Sequence, residues 1–399
     1  MTGLLIAGGR VVDPVTALDA VRDVRIRHGI VAEIGEHLAL LEGETVLNAA
    51  GAVVAPGFVD MHVHLREPGF PQKETIATGT EAAVRGGFSS VACMPNTNPA
   101  LDAPATLQWL AQSVQRFGRC RVYPIGAITV GRKGREPCDF AALAGAGALG
   151  FSDDGDTVAD AGVLAGAALR ARGVAGVFIS HCEPEDRIVA RDLVIAAEAG
   201  KPWHLAHLST REALELVRAA RAGGTVVTCE ATPHHLTFTA ADALEIGAAA
   251  RVNPPLRSEA DVAALRQGVR DGTIDALASD HAPHTEAEKL DAANPAPGFT
   301  GLEIAVGAYA GALPDLPTMR FVELLSTNPA RILGIDAGTL RLGAPGDVTI
   351  FAQRSWIVDP SKFVSKGKST PFAGRRLPCK VLATIVGGNL RYCEPELAG

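Results

Sequence analysis

The 399-residue chain has no apolar run near the roughly 20 residues that a bilayer-spanning helix needs, so a membrane protein is not expected. Basic charge is not in excess. The chain carries 37 Lys and Arg against 44 Asp and Glu, a net charge of −7, which argues against nucleic acid, whose phosphates need clustered cations. The start, MTGLLIAGGRVVD, lacks the basic residues and long apolar core of a signal peptide. No Cys-X-X-Cys pair occurs; the seven cysteines (Cys93, Cys120, Cys138, Cys182, Cys229, Cys379 and Cys393) are scattered and odd in number. That pattern suits reduced thiols better than a disulfide framework or a structural zinc knuckle, so a cytoplasmic location is expected. No glycine-rich dinucleotide fingerprint opens any candidate helix. What remains fits a soluble enzyme: 47% apolar and 20% charged residues, with length for one large core and a smaller accessory unit.

The first 52 residues alternate apolar and polar positions between Gly and Asp turns, as in Val24-Arg25-Ile26 and Ile30-Val31-Ala32-Glu33-Ile34. Residues 342–399 look alike, with Asp347–Phe351, Trp356–Val358 and Val381–Val386, the last closed by a Gly387-Gly388 turn. Neither end can bury a sheet face alone, so the spacing predicts a small β-sandwich domain built from both termini. Over 53–341 the pattern changes. Short apolar strands at about 53–59, 89–94, 121–127, 148–151, 176–180, 203–207, 225–229 and 276–279 alternate with helical stretches such as 75–85, 160–172, 188–199, 210–222 and 259–269. In the 210–222 stretch, Leu214, Val217 and Ala220 form one apolar stripe. Eight strands with helical connections predict an α/β fold, a (β/α)8 TIM-like barrel. A doubly wound open sheet is the runner-up on strand count alone.

In such a barrel, residues at the C-terminal strand ends converge on one face. His62 and His64, in GFVDMHVHLREPG, follow the first strand, where positions i and i+2 share a side. Asp153 and Asp154 follow the fourth, His181 follows the fifth, His207 ends the sixth and Asp280 ends the eighth. Four imidazoles and two carboxylates suffice for two zinc ions sharing a carboxylate and a bridging hydroxide, because a bound metal lowers the pKa of water to about 7. Such a site hydrolyses amide-like bonds or forms them in reverse. Asp280 stands where it can carry a proton between that water and the leaving nitrogen. Of the adjacent aspartates, strand alternation lets only one face inward.

The motifs MHVHLREPG (61–69), MPNTNP (94–99), GFSDDG (150–155), HCE (181–183), Asn253-Pro254-Pro255-Leu256-Arg257 and SDHAPH (279–284) occur in that order. Together they resemble dihydroorotase of the class I bacterial type, within the amidohydrolase superfamily. The resemblance implies a metal-dependent barrel that interconverts N-carbamoyl-L-aspartate and (S)-dihydroorotate in de novo pyrimidine biosynthesis. It also implies two zinc ions per chain. His62 and His64 with Asp280 would hold the first, His181 and His207 the second, and Asp154 with a hydroxide would bridge them. Asp280 would be the catalytic residue. Arg66, whose guanidinium can pair bidentately with a carboxylate, would bind the substrate carboxylate with Asn96 and His284. Asn253 and the backbone at Gly298 would meet the ring. The expected partners are the small-molecule substrate, further copies of the chain in a homo-oligomer, and aspartate transcarbamoylase.

Many relatives bridge their metals with a carboxylated lysine; GALGFSDDG (147–155) has none, which separates the chain from hydantoinases. A hydantoinase- or allantoinase-like cyclic amidohydrolase is the catalytic alternative. The other is an inactive dihydroorotase-like partner of aspartate transcarbamoylase, against which stands the retention of all six ligands. The segment between His181 and His207 is shorter than the family usually carries, and 286–303 departs from the usual Ala-Pro-Phe-Gly run. Both loops belong over the metal face, where barrel chemistry is varied. His204 is expected to face away from His207, His234 and His235 to support the seventh strand's end, His28 and His37 to lie on the surface, and Cys182 to point away from the site.

Overall fold

The computed structural model describes residues 3–395 and 397. Eight parallel strands lie in chain order in one sheet: β1 (Phe58–Val63), β2 (Phe88–Cys93), β3 (Arg121–Gly126), β4 (Gly150–Phe151), β5 (Val177–Ser180), β6 (Trp203–Leu205), β7 (Val227–Ala231) and β8 (Ala276–Leu277). The two edges meet beyond β1 and β8, where Val63 bridges His281 and the His64 N–H donates to the His281 carbonyl at 2.9 Å. The expected barrel is therefore present and nearly closed. β1 and β2 are buried at every position, as parallel strands covered on both faces must be.

The helices begin where their capping residues stand. Thr75 accepts from the Thr78 N–H ahead of Ile76–Arg85, Asp160 from Val163 ahead of Ala161–Arg170, and Thr210 from Ala213 ahead of Arg211–Ala222. The last of these turns Ala213, Leu214 and Val217 inward, while Ala220 lies half-buried at the margin.

The termini form a separate sheet with its own core, including Ile6, Val11, Val24, Leu47, Val348 and Ile385. N-terminal strands Leu4–Asp13, Leu18–Arg27, Ile30–Gly35 and Thr45–Asn48 join C-terminal strands Val348–Ala352, Lys380–Val386 and Asn389–Cys393 through Val53–Pro56. Gly387 and Gly388 both adopt positive φ, 55° and 76°, in the hairpin between the last two strands, as a tight two-residue turn requires.

The single strand expected over 53–59 is two strands. Val53–Pro56 runs parallel to the first terminal strand and antiparallel to Val348–Ala352, whereas Phe58 opens the barrel. The terminal sheet thus extends through Pro56, past the expected boundary at 52/53. Gly57 is the crossing point. A Cβ there would stand 2.2 Å from Ser89 Oγ, and its N–H donates to the Asp347 carbonyl at 2.9 Å, so the backbone passes where no side chain fits. The seventh strand also lies later than the expected 225–229, which brings Glu230 to its C-terminal end.

Candidate active site

The residues that the sequence marks as ligands meet at the C-terminal mouth of the barrel. His62 lies in β1 and His64 just beyond it; Asp154, His181, His207 and Asp280 follow β4, β5, β6 and β8. All six are buried. His62 Nε2 lies 3.2 Å from Asp154 Oδ1 and 3.7 Å from Asp280 Oδ1. His64 Nε2 lies 3.2 Å from Asp280 Oδ1 and 3.5 Å from Asp154 Oδ2. His181 Nδ1 and His207 Nε2 approach the same Asp154 Oδ1 at 3.4 and 3.5 Å and each other at 3.0 Å.

Two observations show that this donor set fits metal ions. First, ligand atoms about 2.0–2.1 Å from a tetrahedral ion stand roughly 3.3 Å apart, close to the separations found here. Second, His62 Nε2 and Asp154 Oδ1 are buried without a hydrogen bond, a costly state unless something positive lies between them. His62, His64 and Asp280 form one ligand group, and His62, Asp154 and His207 a second. The second group takes in His62 where His181 was expected, although His181 stands against both Asp154 and His207.

The electrostatics are those of a preformed cation site. Burial opposes charge on Asp154 and Asp280, but the surrounding imidazoles outweigh it and hold both carboxyls far below the usual range. Burial likewise opposes a charged His62, yet Asp154, Glu230 and Asp280 raise its pKa well above the ordinary value. Backbone strain gathers at the same place. Seven described non-glycine residues have positive φ, and four of them, Arg66 (64°), Arg132 (56°), His207 (35°) and Asp280 (48°), sit at this mouth, as functional sites often require.

Above the ligands lies a cavity of about 300 Å³. It is lined by His64, Asp154, His181, His207 and Asp280, and by Arg66, Asn96, Asn253, His284 and Gly298. Every expected site residue except His62 therefore faces one space, and His62 lies beneath it. Arg66 is 8% exposed; its Nε donates to the Pro283 carbonyl at 3.1 Å and its Nη2 lies 3.2 Å from His284 Nε2. Burial brings its pKa down to about 10, which leaves it a cation at neutral pH. Burial, then Arg66 and Lys73, lower His284 to about 3, so this ring is neutral. Asn96 Oδ1 lies 2.8 Å from His64 Nδ1, and Asn253 Nδ2 lies 3.1 Å from His181 Nε2.

Glu230 and Arg132 were not foreseen. Glu230 is buried under the ligands, with Oε1 accepting from His62 Nδ1 at 2.9 Å and Oε2 lying 3.2 Å from His204 Nε2. With a cation in place of the Nε2 proton, this bond would hold the His62 tautomer whose Nε2 lone pair faces Asp154 and Asp280, as carboxylates behind metal-binding histidines do. An acid inside an otherwise apolar strand was the available signal. His204 corrects an expectation. It does not turn away but faces the barrel interior beneath the site, because β6 ends at Leu205 and His207 itself takes a positive φ of 35°. Strand alternation therefore does not run from 204 to 207. Arg132 Nη2 donates to the Asp154 carbonyl at 2.7 Å and to Asp156 Oδ2 at 2.6 Å, and it too lines the cavity.

Other readings match the structure. His234 and His235 pack around Thr232 after β7, with His235 Nε2 2.9 Å from the Pro254 carbonyl. His28 and His37 are exposed. Cys182 is buried in the apolar core, with its thiol 3.9 Å from the Ser180 carbonyl.

A family model described as Dihydro-orotase-like matches residues 51–188. Curated relatives include the dihydroorotase of Pelotomaculum thermopropionicum, 47% identical over 97% of this chain and 98% of that protein. Those of Geobacter sp. (strain M21) and Aquifex aeolicus are 41% and 38% identical, each over 98% of this chain and 99% and 100% of the relative. The match to the Pelotomaculum protein runs over 423 positions, more than the 399 residues of this chain, so the relative carries stretches that are missing here. Among solved structures, L-hydantoinase from Arthrobacter aurescens superposes with a TM-score of 0.89 at 24% identity, covering 98% of this chain and 96% of that one. Dihydropyrimidinase from Brevibacillus agri gives 0.87 at 20% identity, covering 97% and 94%. The structural likeness establishes the barrel, and the sequence identity establishes the kinship: the chain belongs to the dihydroorotase family of cyclic-amide hydrolases.

Proposed function

We propose that this enzyme interconverts N-carbamoyl-L-aspartate and (S)-dihydroorotate in de novo pyrimidine biosynthesis, in the cytoplasm, with two zinc ions at the barrel mouth. The observation that carries the substrate choice is Arg66. It is a buried guanidinium over the ligand cluster whose hydrogen bonds, among the described residues, go to a carbonyl and an imidazole and to no carboxylate. Its charge is left for a ligand, and dihydroorotate carries a carboxylate where hydantoin has none. The second support is Asp154, a carboxylate where a hydantoinase would need a lysine.

His62, His64 and Asp280 would hold one ion, His181 and His207 the other, with Asp154 between them. Bound there, the metals would supply Lewis acidity toward a water and the scissile carbonyl. Arg66 turns the substrate so that its carboxylate points away from the metals, with the Asn96 amide and the neutral His284 beside it. Asn253 and the Gly298 backbone bound the ring on the opposite wall. Asp280, ionised at neutral pH, accepts the water's proton and delivers it to the ring nitrogen as the amide bond breaks; in ring closure the same carboxylate takes the proton from the ureido nitrogen.

Metal analysis of the purified protein, combined with a carbamoyl-aspartate cyclisation assay, tests this reading. About two ions per chain and chelator-sensitive cyclisation are expected. Faster turnover of hydantoin than of dihydroorotate, or full activity in metal-free protein, would replace it.

A further inference from the structure

The segment 286–303, which departs from the family's usual run, is built around one buried cation. Lys289 ends the short helix Glu286–Lys289, and only 3% of it is exposed. Its ammonium donates to the carbonyls of Gly298 at 2.8 Å, Ala296 at 2.9 Å and Arg251 at 3.2 Å. Three acceptors complete the donor capacity of an ammonium group. All three are backbone oxygens, and burial lowers the Lys289 pKa to about 8. Holding a cation there is costly, which calls for a return elsewhere in the structure.

That return is visible in what the three carbonyls belong to. Arg251 precedes Asn253 by two residues, and its carbonyl also accepts the Gly298 N–H at 3.0 Å. Gly298 is thus held at both its N–H and its C=O. It is pressed against Ala282 with φ 123°, where a Cβ would fall 2.7 Å from the Ala282 carbonyl oxygen. Next to it, the Pro297 carbonyl lies 2.9 Å from His284 Nε2, whose ring touches Arg66. One ammonium therefore joins the Asn253 segment to the Pro297–Gly298 wall on the substrate side of the cavity. None of its acceptors belongs to the metal-ligand groups.

We propose that Lys289 is a positioning residue that sets substrate affinity, pinning the Pro297–Gly298 wall against the Asn253 segment without acting on the metals or the proton transfer. The proposal rests on the dihydroorotate reading for its kinetic arm only. Replacing the ammonium by a methyl thioether in Lys289→Met takes their donor from the Gly298 and Ala296 carbonyls and leaves the Arg251 carbonyl with the Gly298 N–H alone. The wall then loses its fixed geometry while the ligand cluster is untouched.

The test uses the full chain, metal-loaded, as wild type, Lys289→Met and Lys289→Gln, in which the amide N–H2 can serve part of the same acceptors. Metal content, kcat and KM for dihydroorotate hydrolysis are measured, together with amide hydrogen exchange over 286–299. In Lys289→Met the expected result is a KM raised about tenfold or more, with kcat within about threefold of wild type and metal content unchanged. Exchange at the Gly298 amide should accelerate by a similar factor. Lys289→Gln should recover part of both effects. Unchanged KM and exchange in Lys289→Met overturns the proposal. So does a parallel fall of kcat, metal content and affinity, which marks a purely structural lysine. If wild type fails to turn over dihydroorotate, the functional reading falls and the exchange and metal arms alone decide the pin.

Discussion

Single residues carry separable parts of the proposed chemistry. Arg66→Ala should weaken dihydroorotate far more than a neutral cyclic amide, because the missing contact is the one to the carboxylate. A charge-assisted bidentate pair in a buried pocket accounts for on the order of 2–4 kcal/mol, or roughly 30- to 1000-fold in kcat/KM. Equal losses on dihydroorotate and hydantoin would place Arg66 outside the substrate contact. Asp280→Asn should retain metal, since the amide oxygen can still ligate, yet lose turnover because it cannot accept the proton. Turnover above about a tenth of wild type is only ~1.4 kcal/mol of barrier and would remove the proton-carrier role. Ring closure consumes a carboxylic acid and should gain at acidic pH, while hydrolysis should gain at alkaline pH; parallel profiles would count against the same role. At this scale the convergence of the candidate ligands was legible because each stands at a strand end. Glu230 and His204 were not, since one lies on a strand expected to end a residue earlier and the other was counted by alternation across a strand end.

Elements decide which of two adjacent aspartates faces the histidine cluster. β4 is only two residues long, and alternation past its end gave no sequence-only answer. The structure separates them. Asp154 meets the histidines, whereas Asp153 turns back to accept the Ile128 and Thr129 N–H groups at 2.9 and 3.0 Å and the Thr129 hydroxyl. Asp153 thus clamps the segment after β3, and Arg132 from that segment returns to the Asp154 carbonyl. Asp154→Ala should lower occupancy of both ions. Asp153→Ala should keep most of the metal but lose stability, on the order of 2–4 kcal/mol, from buried donors left unpaired. Metal analysis beside thermal melts separates the two outcomes, and the reverse assignment would show in metal lost from Asp153→Ala. The helix starts after Thr75, Asp160 and Thr210 were legible to within a residue, since these caps announce themselves, whereas the helix expected from 188 begins at Glu185, behind a Pro184 that offers no side-chain cap. The split of 53–59 was not legible, because an unbroken apolar run hides a crossing that depends on Gly57 fitting against Ser89.

At the scale of the molecule, alternating strand and helix signals made the barrel legible, and the like composition of the two ends foretold their shared sheet. How the C-terminal segment seals the barrel was not legible, because it depends on contacts between residues far apart in sequence. Glu303 is one such seal. Its carboxylate accepts the Val364 and Ser365 N–H groups at 2.9 and 3.2 Å. Burial outweighs these bonds and the nearby Arg85 and Lys368, and pushes its pKa up to about 7. An unfolded glutamate titrates near 4.3, so between about pH 4.5 and 7 the folded chain holds a proton that the unfolded chain has released. Stability contributed by this group is therefore present at low pH, is lost as pH rises through that window, and stays lost above it. Glu303→Gln keeps an oxygen for the two N–H groups and has no charge to bury. It should match wild type near pH 5 and exceed it at pH 8, by at most ~3 kcal/mol if the full shift is expressed. That corresponds to a rise in melting temperature on the order of 1–6 °C for a chain of this size. Melting both proteins at the two pH values decides the matter. A difference that is the same at pH 5 and pH 8 would mean that Glu303 is already ionised in the folded protein, held so by its two backbone donors and the neighbouring cations.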